Sequence, residues 1–321
     1  MTSRRITSLI VTAIGVASIT WCSTAAAAVQ LQLKLGKGKT YYQRTVFEQR
    51  ITQTVMGQEQ VINQTVGTGM KLDVLDVDKQ GNMHIRYTFT WSASKQAGPM
   101  GGIEYDSSKQ ATPPAGAEAS AAILGQSYTI KVSPKGDVLD VNGIEQLREA
   151  VNKKLPPGAE VSLATSPVAL YLDKNNVKEM TESTLAIYPD KPVEQGESWS
   201  EKKTVTIGFG VIAESKWTLQ KREGGVAVIA ASASVRSDPN GPPMETQGMK
   251  MRFDLAGTQN GTVRVDEATG LILLDQSQQQ LKGEIKLLAA ADAPPMMAIP
   301  VVFDTTSKLE MSDKPWPPAA K

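Results

Sequence analysis

The strongest constraint on this chain is the run from Met83 to Trp91. Met83, Ile85, Tyr87, Phe89 and Trp91 are apolar, while His84, Arg86, Thr88 and Thr90 between them are polar. Side chains of a strand alternate between its two faces, so this strict period of two specifies a strand with one buried face. One strand cannot cover that face itself, which demands a sheet and a layer packed on it. The same period recurs in Leu31, Leu33 and Leu35, from Val66 to Val74, and in Met249, Met251, Phe253 and Leu255. Tyr41 to Val55, rich in Thr, Gln and Val, suits a pleated surface with one wet face. Val226 to Val235 is a run of small apolar residues and serine and reads as a strand buried on both faces. Leu281 to Leu288 and Val301 to Met311 read as two closing strands.

Turn chemistry divides these strands. Pro134-Lys135-Gly136-Asp137 separates Tyr128, Ile130 and Val132 from Val138, Leu139 and Val141, the signature of a β-hairpin over Gly125 to Gly143. Asp266 to Gly270 has the same role before Leu271 to Leu274. Three landmarks then pair in the same order. Gly38-Lys39-Thr40-Tyr41 matches Gly196-Glu197-Ser198-Trp199, the turn at Gly81 matches that at Gly225, and the turn at Gly136 matches that at Gly270. The expected fold is mainly β (α+β): two tandem antiparallel β units, each a curved sheet or half-barrel, at residues 29–145 and 190–311.

Residues 146–189 are expected to form a helical connector. Ile144, Leu147, Val151 and Leu155 are spaced by three or four, with Glu145 and Glu149 early and Lys153 and Lys154 late, an order that suits the helix dipole. Pro156-Pro157-Gly158 ends that helix, and Asp173 to Ile187 gives a second, with Val177, Met180 and Leu185 facing inward. Gly98 to Gly102 and Thr112 to Ser120 read as mobile loops, with a short strand at Ile103 to Tyr105. Residues 312–321 form a Pro-rich tail.

Residues 1–28 read as a cleavable secretory signal. Arg4 and Arg5 precede the apolar run Leu9 to Trp21, and Ala26-Ala27-Ala28 offers a small-residue site, with cleavage expected after Ala28. Cys22 raises the alternative of a lipoprotein and Arg4-Arg5 that of a twin-arginine signal, although Trp21 is large for the first and Thr7 and Ser8 are polar for the second. Loss of the leader turns a formal charge of +1 into −1 and removes the one cysteine. The exported chain then has no basic excess for nucleic acid and no disulfide or thiolate chemistry. The expected location is the periplasm or cell envelope, and after cleavage no segment is expected to span a membrane.

The sequence offers little for catalysis. His84 is the single histidine, on the polar side of a strand, and no serine sits in a nucleophile-elbow motif. Zinc needs several His or Cys ligands, so no metal and no cofactor are expected. Asp76-Val77-Asp78-Lys79-Gln80-Gly81-Asn82 opens like a calcium loop, but the place of its closing Glu is taken by Tyr87, and a hairpin turn accounts for the same residues. No acidic residue stands in an apolar setting that would raise its pKa, which disfavours a carboxylate-based hydrolase. The expectation is a chain that is not an enzyme, with no catalytic residues.

Two apolar strand faces remain as ligand-binding candidates: Tyr87, Phe89 and Trp91, and Met249, Met251 and Phe253. Aromatic rings and adaptable thioethers could line a cleft for a lipid or another hydrophobic ligand. The competing reading is ordinary core. The blocks QTVGTGMKLDVLDVDKQGN, GPMGGIEYDSS, GQSYTIKVSPKGDVLDVNG and YPDKPVEQGESW, from Gln64 to Trp199, resemble an uncharacterised family of exported bacterial proteins common in planctomycetes, a domain of unknown function. The resemblance implies export and a β-rich body, and brings no catalytic residues. The function expected is that of an exported non-enzymatic protein binding a hydrophobic ligand or envelope component. The alternative is an interaction or scaffold module whose partner is an envelope protein.

Overall fold

The computed structural model describes residues 28–99, 101–159, 163, 166–207, 209–246, 249–289 and 294–316. Period two is realised almost throughout, as β1 (Thr40–Val55), β2 (Gln58–Val77), β3 (Met83–Gly98), β4 (Gly101–Asp106), β5 (Ser127–Val132) and β6 (Val138–Asn142) in the first half. The second half supplies β7 (Ser198–Ile207), β8 (Phe209–Glu223), β9 (Val226–Ser237), β10 (Met244–Thr246), β11 (Met249–Asp266), β12 (Ile272–Leu288) and β13 (Pro295–Ser312). All belong to one sheet in the order β6-β5-β3-β2-β1-β13-β12-β11-β9-β8-β7, with β4 on β3 and β10 on β11. The two expected units thus share a single open antiparallel sheet, joined where β1 pairs with β13. Within it, the order β1-β2-β3-β5-β6 is matched by β7-β8-β9-β11-β12. The hairpin glycines Gly81, Gly225, Gly136 and Gly270 have φ of 84°, 78°, 96° and 71°, the region that these turns require and glycine supplies.

Among the described residues the helices α1 (Glu118–Ala122), α2 (Ile144–Lys154) and α3 (Lys174–Leu185) and a 3-10 turn (Pro167–Leu172) accompany the sheet. α2 and α3 fall where the apolar spacing places them, whereas α1 lies in a tract expected to be loop. Ile144, Leu147 and Val151 are buried on α2, and Val177 and Leu185 on α3, with Met180 half-buried. Asp173 caps α3 by accepting hydrogen bonds from the backbone N–H groups of Asn175 and Asn176 at 2.8 and 2.9 Å. α3 packs against both β6 and β7, the two end strands of the sheet.

Two strand expectations are corrected. Leu31, Leu33 and Leu35 are buried as the alternation requires, but their segment is an extended thread with one bridge, from Val29 to Val193. Its backbone is held by hairpin turns instead: Leu33 N–H donates to the Pro134 carbonyl at 2.8 Å, and Lys34 N–H to that of Thr269 at 2.7 Å. Alternation marks any extended segment with one buried side, with or without a ladder. β9 buries Ala227, Ile229 and Val235 but exposes Ser232, Ser234 and Arg236, so one face is covered rather than two.

One main core spans both halves of the sheet. It joins Met70, Ile85 and Ile130 of the first half to Leu219, Val263 and Ile272 of the second, with the leucine thread and the helices. Burying each such side chain contributes about 1.5–3 kcal/mol, which supports a chain without disulfides. The expected leader lies outside the described residues except for Ala28, and so does the tail from Pro317. Among the described residues no helix is long and apolar enough to cross a membrane.

Candidate functional site

The odd-numbered positions of β1 and β13 share the face that carries the core, but two different surroundings divide it. Near Tyr41 and Leu309 it belongs to the main core, over which the helices lie. Towards the other end of β11, β12 and β13 a second apolar cluster is built from strand residues alone: Val235, Leu255, Leu281 and Val301 are buried, with Phe253 and Phe303 packed against them. Between the two runs a polar row. Gln64, Gln49, Thr305, Gln279 and Gln259 stand opposite one another across five strands. Gln64 Nε2 donates to Gln49 Oε1 at 2.7 Å, Gln49 Nε2 to Thr305 Oγ1 at 2.9 Å and Gln279 Nε2 to Gln259 Oε1 at 3.1 Å.

Registers beyond that row give the second cluster its form. Ile62, Ile51, Phe303 and Leu281 are cross-strand neighbours on β2, β1, β13 and β12. Phe253, Ile285 and Ile299 form a row further on, and Met244, Met251, Leu287 and Met297 make the last. From Phe303 to Met297 this apolar face extends roughly 20 Å at ~3.4 Å per residue. Gly257 and Gly283 lie within it without side chains, and a Cβ would come within 1.8 Å of the Gln280 carbonyl oxygen at the first and 1.9 Å of that of Asp254 at the second. The methionine end is open to solvent, with Met297 38% and Met249 49% exposed.

The six candidate residues separate accordingly. Tyr87 and Phe89 are buried in the main core, Tyr87 stacked on Tyr128 and Phe89 set edge-on against Tyr171. Trp91 leaves their face. β2 pairs Met70 with Phe89 and Gly69 with Trp91, so Thr90 is an extra bulge residue that reverses the alternation after it. Trp91 therefore lies over Gly67 and Gly69 on the opposite face of the sheet. Met251 and Phe253 stand in the second apolar face, and Met249 is at its exposed margin. Phe209, Phe303, Ile285 and Met297 complete that face and were not singled out from the sequence. Ile285 was legible only as part of a closing strand, because the register that brings it to Phe253 is not local.

Electrostatics adds one group. Asp275, on β12 between Leu309 and Val263, has its carboxyl pushed up to about 6 by burial and makes no hydrogen bond or ion pair among the described residues. This corrects the expectation that no acidic residue has an apolar setting. The calcium-like turn is occupied by its own contacts. Asp78 accepts from Asn82 N–H and Gln80 N–H and pairs with Lys131 at 2.8 Å, which holds its carboxyl well below the usual range. Among the described residues no group of three or more His, Cys, Asp or Glu could hold a metal ion. A cleft of about 500 Å³ beside the stacked Trp199 and Trp217 has charges paired with one another, Lys135 with Asp190 at 2.6 Å and Lys203 with Glu182 at 3.2 Å.

A family model described as "Family of unknown function (DUF6263)" matches residues 80–272. No curated protein matches the chain. Among solved structures, lipovitellin, in a study of lipid-protein interactions, is 11% identical with a TM-score of 0.44, over 89% of this chain and 26% of that one. OccK7 (OpdD) of Pseudomonas aeruginosa is 8% identical with a TM-score of 0.22, over 86% and 99%. A DUF1329 family protein from Desulfovibrio piger is 8% identical with a TM-score of 0.13, over 88% of each chain. The chain spans about a quarter of the lipovitellin chain, and at these scores none of the three carries an argument about function.

Proposed function

The chain belongs to the family of unknown function DUF6263, and on that premise we propose that it is a non-enzymatic exported protein that binds a hydrophobic ligand on the open apolar face around Phe253. The observation that carries this reading is a cluster of strand residues alone, outside the helix-covered core, ending in a row of three methionines and a leucine. Thioethers and large aliphatic side chains conform to a flexible acyl chain, and burying one over such a face gains roughly 25 cal/mol per Å² of apolar area. Export to the periplasm or cell envelope is the reading that the Arg4-Arg5, Leu9 to Trp21 and Ala26-Ala27-Ala28 pattern supports. The matched strand orders and matched glycine turns support reading the sheet as two copies of one meander.

A second reading is docking of an envelope protein on the same face. The openness of the methionine end favours it, since Met249 and Met297 are exposed rather than enclosed. Titration with a fluorescent fatty-acid analogue separates the two. Saturable binding that Phe253→Asp abolishes supports the ligand. No binding by the folded wild-type protein moves the assignment to a protein partner.

A further inference from the structure

The reverse face of the central strands holds a trough that the reading above does not use. Its middle section has a volume of about 700 Å³ and a neighbouring section about 650 Å³, both open to solvent, and the two share Glu48, Asn260, Gln278 and Thr306. Register explains the composition. Thr65, Glu48, Thr306, Gln278 and Asn260 stand in one row across β2, β1, β13, β12 and β11. Two residues further along, Asn63, Arg50, Asp304, Gln280 and Thr258 make the next row on the same face. From Arg44 to Arg50 the trough runs roughly 20 Å along β1 at ~3.4 Å per residue.

Three properties select the class of ligand. The charges balance, with Arg44, Arg50 and Lys308 against Glu48, Asp304 and Glu310, so no polyanion is drawn in. Most of the remaining side chains are amides and hydroxyls, each both donor and acceptor, and Asn260, Gln276, Gln278 and Gln280 are exposed. That inventory matches a ligand whose own groups donate and accept in turn, which is the chemistry of neighbouring hydroxyls. Finally, the lining strands are interior to the sheet and paired on both sides, so an extended peptide finds no free edge to join.

The head of the trough is preorganised. The bulge at Thr90 delivers Trp91 to this face, and Gly67 and Gly69 make room for it: a Cβ on Gly67 would lie 2.2 Å from the ring. Trp91 Nε1 donates to Asp106 Oδ1 at 2.9 Å, and the Arg44 guanidinium sits 4.4 Å from the ring centroid. A planar cation held against a fixed aromatic ring presents its remaining N–H groups to the trough.

We propose that this trough binds a neutral, unbranched oligosaccharide lying along β1 and β13, hydrogen-bonded by Gln278 and Asn260 and met at one end by Arg44 on Trp91. The proposal is independent of the apolar face. The test is calorimetric and tryptophan-fluorescence titration of the purified protein with neutral oligomers of glucose, mannose and N-acetylglucosamine, together with a polar peptide of similar length. The expected result is saturable binding of at least one sugar, weakened at least tenfold in the Gln278→Ala, Asn260→Ala double variant, with the emission change lost in Trp91→Phe. Both alanine positions are exposed, so the double variant should unfold with the wild type, which circular dichroism checks. Binding of none of the sugars, equal binding by wild type and double variant, or binding of the peptide alone overturns the proposal.

Discussion

The rings of Phe209 and Phe253 stack with centroids 4.2 Å apart and planes 18° from parallel. They come from β8 and β11, which flank β9, and they meet past the point where β9 ends at Ser237. An aromatic pair of this kind contributes about 0.5–1.5 kcal/mol beyond the area it buries. It also joins the last strands of the sheet to the apolar face used in the proposed function.

Phe253→Ala is expected to cost about 1–3 kcal/mol, less than full core burial because the ring is half-buried. Phe209→Ala should cost a similar amount. Because the rings touch, the double variant should lose less than the two single losses together, by about 0.5–1.5 kcal/mol. Urea unfolding of the four proteins measures this, and strict additivity would contradict the pairing.

Gly67→Val tests the placement of Trp91. The new Cβ would approach the ring to 2.2 Å, so the indole must leave its seat and its hydrogen bond to Asp106. The expected cost is about 1–3 kcal/mol with a shift in tryptophan emission. An unchanged spectrum and midpoint would mean that Trp91 does not lie on this face.

The fate of Trp91 shows where sequence reading stops. Period two locates β2, β3 and β11 because alternation is a local property, and the hairpin glycines are legible because positive φ is a local demand. A one-residue bulge opposite Gly69 leaves no mark in the pattern Met83 to Trp91, yet it moves the last aromatic to the other face. The sharing of one sheet by both halves was equally hidden, since the pairing of Tyr42 with Ser312 joins residues from opposite ends of the chain. Of the six candidate residues, Met251 and Phe253 stand in the apolar face and Tyr87 and Phe89 in the core, a division that depends on which helices cover which end.

Asp275 gives the protein a stability that varies with pH. Burial raises its folded pKa to about 6 from an ordinary 3.8, so the folded state holds the proton more tightly than the unfolded chain. The stability this supplies is fully present below about pH 4 and is lost as pH rises through about 6. Asp275→Asn should therefore stabilise the protein near pH 7, by up to about 3 kcal/mol, and flatten the profile between pH 4 and 7. Chemical denaturation across that range checks it, and parallel profiles for wild type and variant would contradict it.

Asp173→Ala should destabilise α3 by about 1 kcal/mol, since two backbone N–H groups lose their acceptor. Asp173→Asn or Asp173→Ser should restore most of the loss. Thermal unfolding of the three variants reads this directly, and a failure of Asn and Ser to recover stability would assign the effect to something other than the cap.

The most direct test of the proposed function is native mass spectrometry of the protein purified gently from the cell envelope, with a denatured aliquot for the bare chain mass. The proposal predicts an additional mass of lipid size that disappears on denaturation and is absent from Phe253→Asp. A bare chain mass under both conditions, from a folded wild-type sample, would contradict it.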